Sequence, residues 1–80
     1  MGRGRLTLEQ ALAEVLREAR ATANLSQEAL ANEAGLHRNY ISQLERALHS
    51  PSIATLFRLA SVLDTTPSRL LRRVEERLRA

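Results

Sequence analysis

Apolar residues recur along most of the chain at the three-and-four spacing of an α-helix. In the first segment Leu8, Ala11, Leu12, Val15, Leu16 and Ala19 make one apolar face. Thr7 stands before it and Gln10 three positions on, which fits a capping box and predicts a helix over residues 8–23. Asn24 follows, and asparagine tolerates the left-handed conformation that ends helices. Ser26 caps a short second helix, with Ala29, Leu30 and Ala34 inward and Gly35 as its stop. Leu36 plugs the turn. A third helix starts at Arg38, with His37 in the N-cap position, and continues to Arg46 or Ala47. Its apolar positions are few: Ile41, Leu44 and part of Tyr40. Pro51 cannot continue a helix, and Ser52 caps a fourth over residues 53–63, with Leu56, Leu59, Ala60 and Leu63 on the core face. Thr66 as N-cap and Pro67 at the first helical position open a fifth, whose stripe is Leu70, Leu71, Val74 and Leu78. No segment reads as a strand, so the expected fold class is all-α, a compact five-helix bundle.

Length and composition narrow the possible chemistry. Eighty residues make one domain, and a domain this small buries only about 60% of its unfolded surface, so dimerisation would help it. The expected division is a flexible basic tail at residues 1–6 and a single domain at 7–80. Cysteine is absent, which excludes disulfides and thiolate-held clusters. Lysine is absent too, which excludes a P-loop phosphate site and a Schiff base. The only histidines are His37 and His49, a poor basis for a metal site, and no metal or other cofactor is expected. No apolar run approaches the ~18 residues of a membrane span, and no apolar signal core follows Met1, so a cytoplasmic protein is expected. Net charge is +3 and unevenly placed. Residues 1–36 carry four Arg against five Glu, and residues 37–80 eight Arg against four acids. Such a basic half points to a polyanionic partner, nucleic acid first, with a solvated charged surface as the competing reading.

The informative stretch is residues 26–46, two short helices joined at Gly35. The second is unusually polar, with Arg38, Asn39, Ser42, Gln43 and Arg46 outward. Arginine can fork onto guanine O6 and N7, asparagine and glutamine onto adenine N6 and N7, and serine serves either. A helix about 10–12 Å across fits the major groove. Any one of these residues is more simply a solvated polar side chain; together, on a helix that follows a helix and turn, they favour base reading.

Leu25-Ser26-Gln27-Glu28-Ala29-Leu30-Ala31, then Ala34-Gly35-Leu36, then Tyr40-Ile41-Ser42-Gln43-Leu44-Glu45-Arg46, then Pro51-Ser52, and Leu56, Leu59, Ala60 and Leu63 together resemble the phage-repressor (Cro-type, XRE) helix-turn-helix family. The resemblance spans residues 12–71. It implies a lambda-repressor-like domain that regulates transcription as a homodimer on a palindromic operator, with the third helix as the reader. The family's base-reading positions fall on Arg38, Asn39, Ser42 and Gln43. Its helix-2 glutamine falls on Gln27, which the resemblance places against phosphate and as a brace for the reading helix, and Arg46 falls near the DNA backbone. Arg20 and Glu45 occupy positions of an internal ion pair. Gly35 to Ser42, followed by Glu45-Arg46, is most similar to controller proteins of restriction–modification systems, with simple phage-type repressors nearly as close. Ala47 departs from the family by standing where glycine is usual, which implies a strained C-cap or a longer helix. Asn24 and Asp64 also replace common glycines, but tolerate positive φ.

Several residues keep two readings. Tyr40 is read as a packed ring whose hydroxyl reaches DNA, His37 as an N-cap first and a phosphate contact second, and His49 as a phosphate contact or a plain loop residue. The arm from Gly2 to Arg5 reads as a groove-lying tail or a disordered terminus. Ile53, Phe57 and Val62 lie off the core stripe of the fourth helix, as scattered apolar surface or as a two-fold contact. Arg69, Arg72, Arg73, Arg77 and Arg79 read as a solvated helix face, with Glu75 and Arg79 as an i, i+4 pair. Glu45 as a general base lacks a neighbouring nucleophile or metal, and no enzyme is expected. An antitoxin-type protein-interaction module of the same fold is the alternative to a DNA-binding regulator. No small-molecule ligand or membrane partner is expected.

Overall fold

The computed structural model describes residues 5–80. They form five helices, α1 (Leu8–Thr22), α2 (Gln27–Ala34), α3 (Arg38–Glu45), α4 (Ile53–Val62) and α5 (Pro67–Arg79), and no strand. Hydroxyl side chains set where four of them begin. Thr7 accepts from the Gln10 amide, Ser26 from Ala29, Ser52 from Thr55 and Thr66 from Arg69, each satisfying a backbone donor that the first turn leaves free. Gln10 also returns the bond to the Thr7 amide at 2.9 Å, completing the capping box. The starts fall where the hydroxyl residues predict them; the ends of α1, α3 and α4 fall one or two residues early.

Four turns pass through the left-handed region: Asn24 at φ 60°, Gly35 at 71°, Ala47 at 63° and Asp64 at 56°. At three of them the residue suits the geometry. Ala47 does not, and its turn explains why α3 stops at Glu45 instead of continuing to Ala47. The chain reverses there, with the Leu48 amide donating to the Gln43 carbonyl at 2.9 Å.

α1 packs on α3 and α5, α2 on α3 and α4, and α4 on α5. The largest fully buried side chains are Val15, Leu30, Ile41, Leu44, Leu59, Leu70 and Val74. Each contributes roughly 1.5–3 kcal/mol by leaving water. Ile41 and Leu44 are thus the inner edge of the polar third helix, and they fix which of its sides faces out. Tyr40 and Leu36 pack partly buried against the same core.

Three expected core residues are not in it. Leu8 is 52% exposed at the first position of α1, and Leu71 and Leu78 are 39% and 42% exposed. Leu70 and Val74 take the inward line of α5; Leu71 is displaced about 100° around the helix from Leu70, and Leu78 lies in the final turn. Val62 departs in the other direction, because it packs partly buried against the core. Nor is the arginine face of α5 wholly solvated. Arg73 donates to Glu18 at 3.0 Å, and Arg77 to Glu14 at 3.1 Å and also to Glu18, so α5 is clasped antiparallel onto α1. Bonding to Arg77 holds the Glu18 carboxyl below its ordinary value, with Arg73 adding to the effect, and raises Arg77 in turn. The expected Glu75–Arg79 pair is not made.

Candidate nucleic-acid interface

α3 is held by its last turn. The Glu45 carboxylate, only 3% exposed, accepts from Arg20 Nε at 2.6 Å and Nη2 at 2.9 Å. Gln27 of α2 donates its side-chain amide to the same carboxylate at 3.0 Å. Arg20 also reaches the Leu25 carbonyl at 2.8 Å, which ties down the α1–α2 turn. Arg17, one turn before Arg20, donates to the main-chain carbonyl of Glu45. One residue of α3 therefore receives donors from α1 and α2, and no buried polar side-chain atom among the described residues lacks a partner. Bonding to Glu45 pushes the Arg20 guanidinium to an even higher value than usual, so Arg20 stays charged at any ordinary pH.

The other end of α3 is open. His37 occupies the N-cap position, but its side chain makes no capping bond, so the expected cap is not formed. An open concavity at this end is lined by His37, Arg38, Asn39, Tyr40 and Gln43. Arg38 and Asn39 are exposed, while Ser42 and Gln43 are half-buried one turn further along. The half-buried Tyr40 ring lies with its centroid 6.4 Å from that of His49, so the loop after α3 borders the same region. Arg46 is exposed just past the helix and lines a second shallow cleft with Gln10, Glu14, Arg17 and Ala47. Gln27 is not part of the concavity; its amide is committed to Glu45. Gly2, Arg3 and Gly4 lie outside the described residues, and Leu6 packs against the core.

On the far side of α2, Phe57 and Val62 share a groove with Glu33, Ala34, Arg58 and Ser61. Phe57 is 59% and Ile53 69% exposed, large values for apolar side chains. Among the described residues no cluster of His, Asp or Glu could hold a metal ion, and no helix is long and apolar enough to cross a membrane.

Within the site, the interaction that the residues alone did not reveal is that of Arg17 with the Glu45 carbonyl. Its signal is present in the sequence: Arg17 and Arg20 are three apart, hence on one face of α1, and Arg20 faces α3.

The sequence matches the helix-turn-helix family HTH_3 over residues 16–70, a span that contains α2, the Gly35 turn and α3. The chain belongs to this family. It is 43% identical over 68 residues to the control protein C.SmaI of Serratia marcescens, covering 85% of this chain and 81% of that one. Among solved structures it is similar to the restriction–modification controller protein C.AhdI of Aeromonas hydrophila, with a TM-score of 0.75 and 37% identity over 78% of this chain and 94% of that one. The clp gene regulator ClgR of Corynebacterium glutamicum superposes with a TM-score of 0.88 at 24% identity, covering 94% of this chain and 80% of that one, a likeness of fold. The helix-turn-helix domain is thus that of a DNA-binding regulator whose sequence lies close to restriction–modification controllers.

Proposed function

We propose that the protein is a cytoplasmic, sequence-specific transcription regulator that binds a palindromic operator as a homodimer, as a controller protein of a restriction–modification system. The observation that carries this reading is the open end of α3, where Arg38, Asn39 and Gln43 line one concavity while Glu45 anchors the opposite end. Arg38, Asn39, Ser42 and Gln43 touch base edges in the major groove, where their donor and acceptor pairs can tell bases apart. His37, Tyr40, Arg46 and His49 meet the DNA backbone, and the positive end of α3 favours phosphate beside them. Gln27 adds a backbone contact at the start of α2 while its side chain braces α3. Ile53, Phe57 and Val62 form the two-fold contact between copies, which sets two reading helices about 34 Å apart, one turn of B-DNA. The kinship with C.SmaI and C.AhdI supports the controller role.

The test is selection of bound sites from random duplexes, followed by titration at several salt concentrations. An inverted repeat is expected. Arg38→Ala and Gln43→Ala each lower the preference for it by roughly 1–3 kcal/mol while leaving binding to unrelated duplex nearly unchanged. Equal, weak binding to every duplex overturns the reading.

A further inference from the structure

The C-terminal end of α3 closes unusually. Its chain leaves through a left-handed residue, Ala47, and the reversal satisfies the carbonyls of Gln43 and Leu44 with the amides of Leu48 and Ala47. The Glu45 carbonyl is instead met by a side chain 28 residues earlier, Arg17 of α1. Glu45 is therefore held twice. Its carboxylate fixes the rotation of the side chain against Arg20 and Gln27, and its carbonyl fixes the backbone at the point where α3 ends. Two anchors on different atoms of one residue restrain tilt as well as position; the carboxylate alone sits on a side chain with rotatable bonds.

Arg17 is exposed, so it reads at first sight as a surface charge available to DNA phosphate. Its bonding argues otherwise. It lines the cleft between α1 and the end of α3, beside Glu14, Arg46 and Ala47, with its Nη1 committed to the Glu45 carbonyl. A cation at a helix C-terminus also complements the negative end of the helix dipole, and α3 has no basic residue of its own in its last turn.

From this we infer that Arg17 is a positioning residue for sequence reading: it sets the angle at which α3 presents Arg38, Asn39 and Gln43 to bases, and it does not itself touch DNA. The inference rests on the DNA-binding reading above. A positioning arginine and a phosphate-binding arginine differ in what their loss changes. The first loses discrimination between sequences and keeps the salt dependence. The second keeps discrimination and loses roughly 0.9 from the slope of log affinity against log salt.

The experiment compares wild type, Arg17→Ala and Arg17→Lys on the selected duplex and on a scrambled one, across a salt series. For Arg17→Ala the ratio of the two affinities is expected to fall about tenfold, the scale of one lost charge-assisted hydrogen bond, with the salt slope on scrambled duplex unchanged. Arg17→Lys, which still reaches a carbonyl with a charged donor, restores most of the ratio. Carbon-13 NMR of the free protein supplies a signature independent of DNA: the Glu45 carbonyl resonance moves in Arg17→Ala and largely returns in Arg17→Lys, while thermal melting confirms that both fold. A salt slope reduced by about one phosphate equivalent with discrimination intact overturns the inference. So does an unmoved carbonyl resonance, or a wild-type ratio in Arg17→Ala. If the wild-type chain prefers no duplex, the DNA reading itself falls; if wild type discriminates and Arg17→Ala does so equally well, only the role of Arg17 falls.

Discussion

The Glu45 carboxylate takes two nitrogens of the Arg20 guanidinium, which bolts the end of α3 to α1 across 25 residues of sequence. Such a pair contributes little compared with an apolar replacement, yet losing one member strands the other. Arg20→Met leaves a nearly buried carboxylate with Gln27 as its remaining side-chain partner. Removing one member of a buried pair costs roughly 3–5 kcal/mol. With 21% of the Arg20 side chain exposed, the lower end is expected. Urea denaturation measures it, and a loss of less than about 1 kcal/mol would place the pair among ordinary surface bridges.

Ala47 is the one turn residue whose side chain opposes its backbone. At φ 63° its Cβ crowds the following carbonyl, a strain of roughly 1–2 kcal/mol that glycine does not carry. Ala47→Gly is therefore expected to stabilise the fold by about 0.5–1 kcal/mol, after the greater freedom of glycine in the unfolded chain is subtracted. Gly35→Ala runs the other way. Its added Cβ would meet Arg58 no closer than 3.9 Å, so the loss comes from the backbone at φ 71° and not from a clash. Chemical denaturation of both variants checks the pair of opposite signs.

The clasp between α1 and α5 is sensitive to acid. Glu18 titrates below its ordinary value in the folded chain because Arg77, and then Arg73, bind its charged form. Its contribution is complete above the ordinary carboxylate value and is lost as pH falls through the lower folded value. Glu18 is 53% exposed, so the effect is screened and amounts to no more than about 1 kcal/mol. Melting curves at pH 7 and pH 3 are expected to show a smaller acid-induced drop for Arg77→Met than for wild type, and raised salt is expected to shrink the difference. An equal drop in both chains counts against the clasp.

Phe57 tests assembly. It is 59% exposed on α4, and its replacement by glutamate removes little from the monomer's core. The expected outcome for Phe57→Glu is a melting temperature near that of the monomeric wild type, a sedimentation profile shifted toward monomer, and weaker binding to an inverted repeat. An unchanged mass distribution across a concentration series removes Phe57 from the two-fold contact.

Much of the architecture was legible because its rules are local. Thr7, Ser26, Ser52 and Thr66 each announce a helix by standing three residues before the amide that they cap. Gly35, Asn24 and Asp64 mark turns by the conformations they tolerate. Periodicity supplies an angle around each helix, but not how far its neighbour extends, and for that reason Leu8 and Leu78 were misplaced in the core. The α1–α5 clasp was invisible for a related reason: Arg73 and Arg77 find carboxylates 55 and 63 residues away, and no spacing rule reaches that distance. The spacing of Arg17 from Arg20 marks the face it shares but not its acceptor, since every residue offers a main-chain carbonyl.

Because α3 is tied by side-chain bonds at Glu45 and carries no side-chain cap at His37, its polar restraints are gathered at one end. Eight residues make it about 12 Å long. A small rotation at that end carries the tip holding Arg38 and Asn39 further than it carries Gln43, which sits beside the anchor. Degeneracy among preferred half-sites should therefore gather at the base pairs under the tip, while the pair under Gln43 stays strict.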